Sequence, residues 1–364
     1  MARFPRLAPA SAAVAAMLAV SLVVAAPAGA ERPSTTSHFA TPSGIASIGP
    51  WIVVANHATS TLTILAANGG TPLRYVSHTL LGISGPTAIV AEPVSGRRIA
   101  FVGGRGGAVT ELALAPKGAS VSVTRLRVLR PAGCASRATT TLAIDAGRLV
   151  EACSNGVVTV WQATTGALVR AISAKATRLT DVTGIAILRG DAYLTNAATA
   201  APRSAPDSVT AVSVVTGQRL RSVTNATSVA YAFSSPSAIA SDGTHLWEAN
   251  AKGNTVDELA AGSLAFLASS GTNLTAPAVV LATPSFTWVS SASVNGSSSM
   301  VTQFYVANNA IMSPWMMCNS NGPYEFGDPS GFTMHGGMLW VANAANNLVD
   351  QMNGTTGALV ATYS

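Results

Sequence analysis

One spacing recurs seven times along this chain and restricts its fold more than any other feature: an anchor residue, an apolar residue three positions on, and a small or polar residue eleven beyond that. Pro329, Phe332 and Asn343 show it, and Pro42, Ile45, Asn56 and Pro236, Ile239, Asn250 repeat it without change. Substituted copies are Pro277, Val280, Ser291, then Thr139, Leu142, Cys153, and Val182, Ile185, Asn196. The remaining copy, Pro86, Ile89, Gly103, carries three extra residues. After each copy comes a second phrase, apolar, Thr or Asp, any residue, apolar. It begins at Leu62, Val109, Val158, Val209, Val256, Val301 and Val349. A turn former stands two residues ahead of every one: Ser60, Gly107, Gly156, Asp207, Asn254, Ser299 and Asn347.

Anchors from residue 42 to residue 329 in six steps give a period of about 48 residues, the length of one four-stranded blade. The runs between turns are short, β-branched and alternating, and the chain after its first thirty residues has no sustained helical period. The expected fold is all-β, a seven-bladed β-propeller of four-stranded blades, forming a single domain over residues 42–364. First strands such as "SGIAS" and "TGIAI" alternate small residues with Ile, as the crowded centre of a propeller requires. Tyr193, Trp247, Trp288 and Trp340 stand three residues before the repeat's polar position, where a flat ring fills the wedge between blades. The Asn there reads as a turn-binding side chain, and the Thr or Asp of the third strand as a strand-edge hydrogen bonder.

The recurring "P-x-G-I-A", "W-V-A-N" and "N-x-V" phrases resemble the NHL and YVTN-type propeller repeats over nearly all of residues 42–364. That resemblance implies the fold. Such propellers host lyases, lactonases and pure binding modules alike, so no catalytic residue is carried over from it.

"MARFPRLAPASAAVAAMLAVSLVVAAPAGA" places Arg3 and Arg6 before an apolar run and closes on Ala28-Gly29-Ala30, the layout of a secretory signal with cleavage expected after Ala30. Residues 31–41 would then form a short N-terminal segment. Removing Arg3 and Arg6 lowers the formal charge from +6 to +4. Only 10% of residues are charged, against the roughly one quarter usual for soluble domains. Arg125, Arg127, Arg130 and Arg137 lack interleaved aromatics, so they read as a solvated strand face and no nucleic-acid partner is expected. Nothing beyond the signal has membrane-spanning length. The expected product is an exported monomer, periplasmic or extracellular.

Loops joining second to third strands, and blade to blade, share one face of a propeller, here called the loop face. Three are long: 197–206, 292–299 and 310–329. The last gathers Met312, Trp315, Met316, Met317, Tyr324 and Phe326 in a chain with 6% aromatics. It reads either as an adaptable contact surface or as a cap folded on itself. Trp315, Met316, Met317, Tyr324 and Phe326, with His57, are therefore the candidate ligand-binding residues. Cys134 and Cys153 fall on one face of one blade and are expected to pair, leaving Cys318 free or near the channel mouth. No catalytic or metal-binding motif appears, and neither a cofactor nor a metal is expected. The favoured function is a non-catalytic binding module for an extracellular or periplasmic protein, peptide or glycan. The alternative is a small-molecule lyase or hydrolase in the channel mouth, with His57, Arg105 and Glu248 as its best residues.

Overall fold

The computed structural model describes residues 38–198, 205–292, 299–307, 310–318 and 322–364, with backbone alone for 306–307, 310–316 and 318. Its strands form seven four-stranded antiparallel sheets, each running from inner to outer strand in chain order. Blade one comprises β1 (Pro42–Ile48), β2 (Trp51–Asn56), β3 (Thr61–Ala66) and β4 (Pro72–Val76). Blade seven comprises β25 (Pro329–His335), β26 (Met338–Asn343), β27 (Leu348–Asn353) and β28 (Leu359–Tyr363). The seven-bladed propeller expected from the repeat is the observed fold.

Two four-residue helices interrupt the pattern, α1 (His78–Leu81) and α2 (Ala174–Thr177). Each follows an outer strand, starts at a serine cap (Ser77, Ser173) and stops at a left-handed residue (Gly82, Arg178).

Registers show why the spacing recurs. In blades one, four and seven the anchor pairs with the Asn eleven beyond the apolar residue (Pro42↔Asn56, Val182↔Asn196, Pro329↔Asn343), and a bulge follows the anchor. Blade two departs from the expected alignment. Gly103 pairs with Val109 as Ala55 pairs with Leu62, so Gly104, not Gly103, holds the repeat's polar position. The shift exposes a fifth aromatic, Phe101, three residues before it.

These five aromatics are the seams of the ring. Phe101, Tyr193, Trp247, Trp288 and Trp340 are all at most 2% exposed. Each packs on the next blade: Phe101 with Leu142 and Leu149, Tyr193 with Leu246 and Leu259, Trp247 with Val289, Trp288 with Leu339. Trp340 packs on Ile45 and Val54 and so closes blade seven onto blade one. Burying such a ring contributes a few kcal/mol. The closing seam also has Ser47 Oγ donating to Met334 O (2.9 Å) and Thr41 N donating to Asn347 Oδ1 (2.6 Å). Among the described residues no strand is exchanged between the terminal blades.

The third-to-fourth strand turns carry a second inter-blade device. Gly70 and Gly166 adopt positive φ, and a side chain at either would collide with a neighbour's outer-strand residue, Tyr363 over Gly70 and Arg127 over Gly166. Glycine supplies both the left-handed turn and the seat.

Candidate functional site

The repeat's polar position is a structural node. Asn56, Asn196, Asn250 and Asn343 each accept, through Oδ1, a backbone N–H about sixteen residues earlier: Ala40, Thr180 with Asp181, Ser234 and Gly327. Ser291 Oγ does the same for Thr275 N. Each thereby ties the segment entering a blade to the end of its second strand. The amide nitrogen is spent inside the blade on Thr63 for Asn56 and on Asp350 for Asn343, and on the loop carbonyls of Ala205 and Pro206 for Asn196. In blade three the position is Cys153, and its tie is covalent, a disulfide to Cys134 nineteen residues earlier. The expected cysteine pair is present. Cys318 lies on a described strand, but its side chain is outside the described residues.

Carboxylates in the blades follow the same inward economy. Asp350 accepts from Asn343 Nδ2 (3.0 Å) and Thr362 Oγ1 (2.6 Å), and burial lifts its pKa to about 6. Glu151, fully buried, accepts from Trp161 Nε1 at 3.2 Å, and burial lifts it to about 8. Glu111 pairs with Arg127 at 2.8 Å. Glu248 is 0% exposed and accepts from Asn250 Nδ2 at 2.7 Å, while the same nitrogen reaches Asp257 Oδ2 at 3.1 Å. Burial, then the neighbouring Asp257 charge, hold Glu248 well above the usual carboxylate range. Both causes favour its neutral form over the carboxylate.

His57 and Arg105 do meet on the loop face. His57 Nδ1 lies 3.0 Å from Pro86 O, so it carries the proton, which leaves Nε2 to accept from Arg105 Nη2 at 3.4 Å. Glu248 does not join them. It is sealed inside blade five with Asn250, so the lyase-like trio of the sequence is not assembled. Burial of the alternating face of β18 (His245–Asn250) explains the miss, since Glu248 shares that face with Leu246 and Asn250.

The stretch 310–329 is not one long loop. Ala310–Cys318 is β24, the outer strand of blade six, paired with β23 (Met300–Ala307). Pro314, which suggests a loop in the sequence, falls where the register shifts between Gln303↔Trp315 and Tyr305↔Met312. An outer strand tolerates proline at such a bulge because no ladder N–H is needed there. Trp315 and Met316 therefore lie on a rim strand. Met317 is 0% and Phe326 4% exposed, both packed with Trp288 and Phe332 between blades six and seven. Neither is available as a contact residue. Tyr324 stacks on Phe326 (5.3 Å, 11° between planes) and donates to Gly357 O at 2.9 Å. Residues 199–204 and 293–298, most of the other two long loops, are outside the described residues.

The central channel is lined by the repeat's apolar positions Ile45, Ile89, Leu142, Ile239 and Phe332, all under 10% exposed. A cavity of about 390 Å³ opens among the inner strands, and its side-chain polar groups are the hydroxyls of Ser47, Ser241 and Thr333. Among the described residues no group of three His, Cys, Asp or Glu could hold a metal. No described helix is long and apolar enough to cross a membrane.

No known family profile matches the sequence, and no curated protein does. Solved structures do match in shape. Raptor from Chaetomium thermophilum superposes with a TM-score of 0.65 at 12% identity, over 86% of this chain and 27% of that one. The chain thus spans about a quarter of Raptor's length. The computationally designed Ika8 protein superposes with a TM-score of 0.54 at 15% identity, over 90% of this chain and 97% of that one. At these identities the likeness is one of fold alone.

Proposed function

We propose that this chain is an exported, non-catalytic binding propeller of the NHL or YVTN type that holds a protein, peptide or glycan on its loop face. One observation carries the reading: Glu111, Glu151, Glu248, Asp257 and Asp350 are turned inward onto their own Arg, Trp, Asn, Ser or Thr partners. The loop face of blades two to four meanwhile presents exposed Arg105, Arg130, Arg137, Lys175 and Arg178. A general acid or base must reach substrate, and Glu248, Glu151 and Asp350 are committed to the frame. The disulfide and the secretory-type first thirty residues support export.

The contact surface is placed on blades two to four rather than on residues 310–329, because Met317 and Phe326 serve the core. Peptide and glycan arrays probed with the protein test this. Arg105→Glu with Lys175→Glu should abolish capture, whereas Arg97→Glu with Arg189→Glu on the opposite face, or Trp315→Ser with Met316→Ser, should leave it intact. Capture that survives the first pair and fails with the second would overturn the reading. Chemical turnover of a captured ligand would overturn its non-catalytic part.

A further inference from the structure

We infer that the loop-face cavity between blades one and two is a binding site for a small ligand bearing an oxyanion: a phosphate, a sulfate ester or a carboxylate. The inference deepens the binding reading above and rests on its choice of face. The cavity measures about 420 Å³ and is lined by Arg105, Arg130, His78, Thr79 and Ser84, with Ile83 and Ala108 among its apolar residues. That volume is within the range of small-molecule sites. Its lining contains two guanidinium groups, one imidazole and two hydroxyls, and no carboxylate. Among the described residues neither Arg105 nor Arg130 has an ion-pair partner, whereas Arg127, three residues from Arg130, is taken by Glu111. An arginine fork is shaped for bidentate contact with phosphate, sulfate or carboxylate.

The backbone under Arg105 is fixed. Arg105–Gly107 is a short 3-10 segment kinked at Gly106, which adopts φ +74°. Arg105 N donates to Ser84 O (3.1 Å), Gly106 N to Ala138 O (3.0 Å), and Thr140 Oγ1 to Gly104 O (2.8 Å). Gly107, at φ +75°, lies so close to Cys134 that an added Cβ would stand 2.5 Å from its Sγ, so the disulfide braces the turn. Gly85, at φ +51°, leaves room for His57 and Arg105 to meet; an added Cβ would approach them at 3.1 and 3.2 Å. With His57 Nδ1–H held by Pro86 O, its Nε2 accepts from Arg105 without adding a competing negative charge. Arg105 is thus steered while its charge stays available. On the other wall Arg125 Nη1 donates to Thr79 O at 3.3 Å and holds α1 against the outer strand of blade two.

A related arrangement follows α2, where Lys175, Arg178 and Asn155 line a cavity of about 530 Å³. It carries cations but no braced arginine turn, and so serves as an internal control for charge alone. Calorimetric titration of the protein with glucose 6-phosphate, glucuronate and inorganic phosphate, against neutral glucose, tests the proposal. We expect one saturable site for the anions and none for glucose. Arg105→Gln and Arg130→Gln should each weaken binding about tenfold or more, the loss of one charge-assisted contact. Lys175→Gln should leave it unchanged, and His57→Ala should weaken it less than Arg105→Gln. The ratio among the three anions identifies the source of the oxyanion. No saturable binding of any anion, or an equal loss on Lys175→Gln, would overturn the site. Intact anion binding with array capture unaffected by Arg105→Glu would instead sink the wider reading and spare this pocket.

Discussion

In blade five the second strand ends on Asn250, whose amide holds Ser234 N, Glu248, Thr255 and Asp257 at once. In blade three the same position is Cys153, and one covalent bond to Cys134 replaces the whole set. Both blades place a buried glutamate two residues earlier, Glu248 in one and Glu151 in the other. Across the ladder Glu248 faces Asp257, but Glu151 faces Thr159. The difference shows what the position is for. In the six blades where it has a side chain its shared task is to tether the incoming segment; how many polar groups it also satisfies varies with what its blade has buried around it. Blade one, with Asn56 joined to Thr61 and Thr63 and no carboxylate, is the plain form.

The largest contrast should come from deleting the amide in each setting. Asn250→Ala leaves Ser234 N–H without its partner and takes a donor from two buried carboxyl groups, Asp257 keeping Ser269, whereas Asn56→Ala frees one N–H and takes one partner each from Thr61 and Thr63, which keep Tyr75 and His38 O. Lost hydrogen bonds to charged or acidic groups cost more than neutral ones. We expect Asn250→Ala to lose about 4 kcal/mol and Asn56→Ala about 2 kcal/mol in denaturant unfolding. Equal losses would mean that the tether alone matters and that the carboxylates of blade five are indifferent to Asn250.

Next comes the covalent form. Replacing both cysteines, as Cys134→Ala with Cys153→Ser, should cost about 3 kcal/mol by the loop-entropy account for a loop of this size. If the disulfide stands in for the amide tether, Cys134→Ala with Cys153→Asn should recover about 1 kcal/mol of that, one net hydrogen bond to the incoming segment. A Cys153→Asn variant no more stable than the Cys153→Ser one would separate the two devices. It would leave the shared position as a coincidence of spacing.

These devices differ in how far the sequence displays them. The ring, the blade count and the disulfide are legible because each rests on spacing: Pro329, Phe332 and Asn343 repeat in register, and Cys153 sits where an Asn is due. Phe101 escaped because blade two has a longer first hairpin, which displaced the alignment by one residue. Ala310–Cys318 escaped because Pro314 is a turn signal locally, and only pairing with β23 makes it a strand bulge. The cationic cavity escaped for a different reason. Arg105 and Arg130 belong to different ends of blade two, and His78 to α1 after blade one, so no local pattern unites them. Arg127 and Arg130 read alike as outer-strand charges until the fold gives Glu111 to one and open space to the other.

The two buried glutamates offer the finest test of the blade comparison, and its sign follows from burial. Both carboxyls are raised above the ordinary 4.5, Glu151 to about 8 by burial, and Glu248 well above the usual range by burial and then by Asp257. The folded chain therefore keeps protons that the unfolded chain releases. Their contribution to stability is fully present below about pH 4.5, shrinks as pH rises, and is lost through the folded pKa, about 8 for Glu151. A glutamine mimics the protonated form without this penalty. Glu151→Gln should thus be close to neutral at pH 4.5 and stabilising by about 4 kcal/mol near pH 8, read as a pH series of thermal midpoints. Glu248→Gln should gain more over the same series, because it also removes repulsion with Asp257. That extra gain should disappear in an Asp257→Thr background, which gives blade five the neutral third-strand residue of blade three. If the two glutamates respond alike with Asp257 in place, the carboxyl pair of blade five is not coupled, and burial alone sets both.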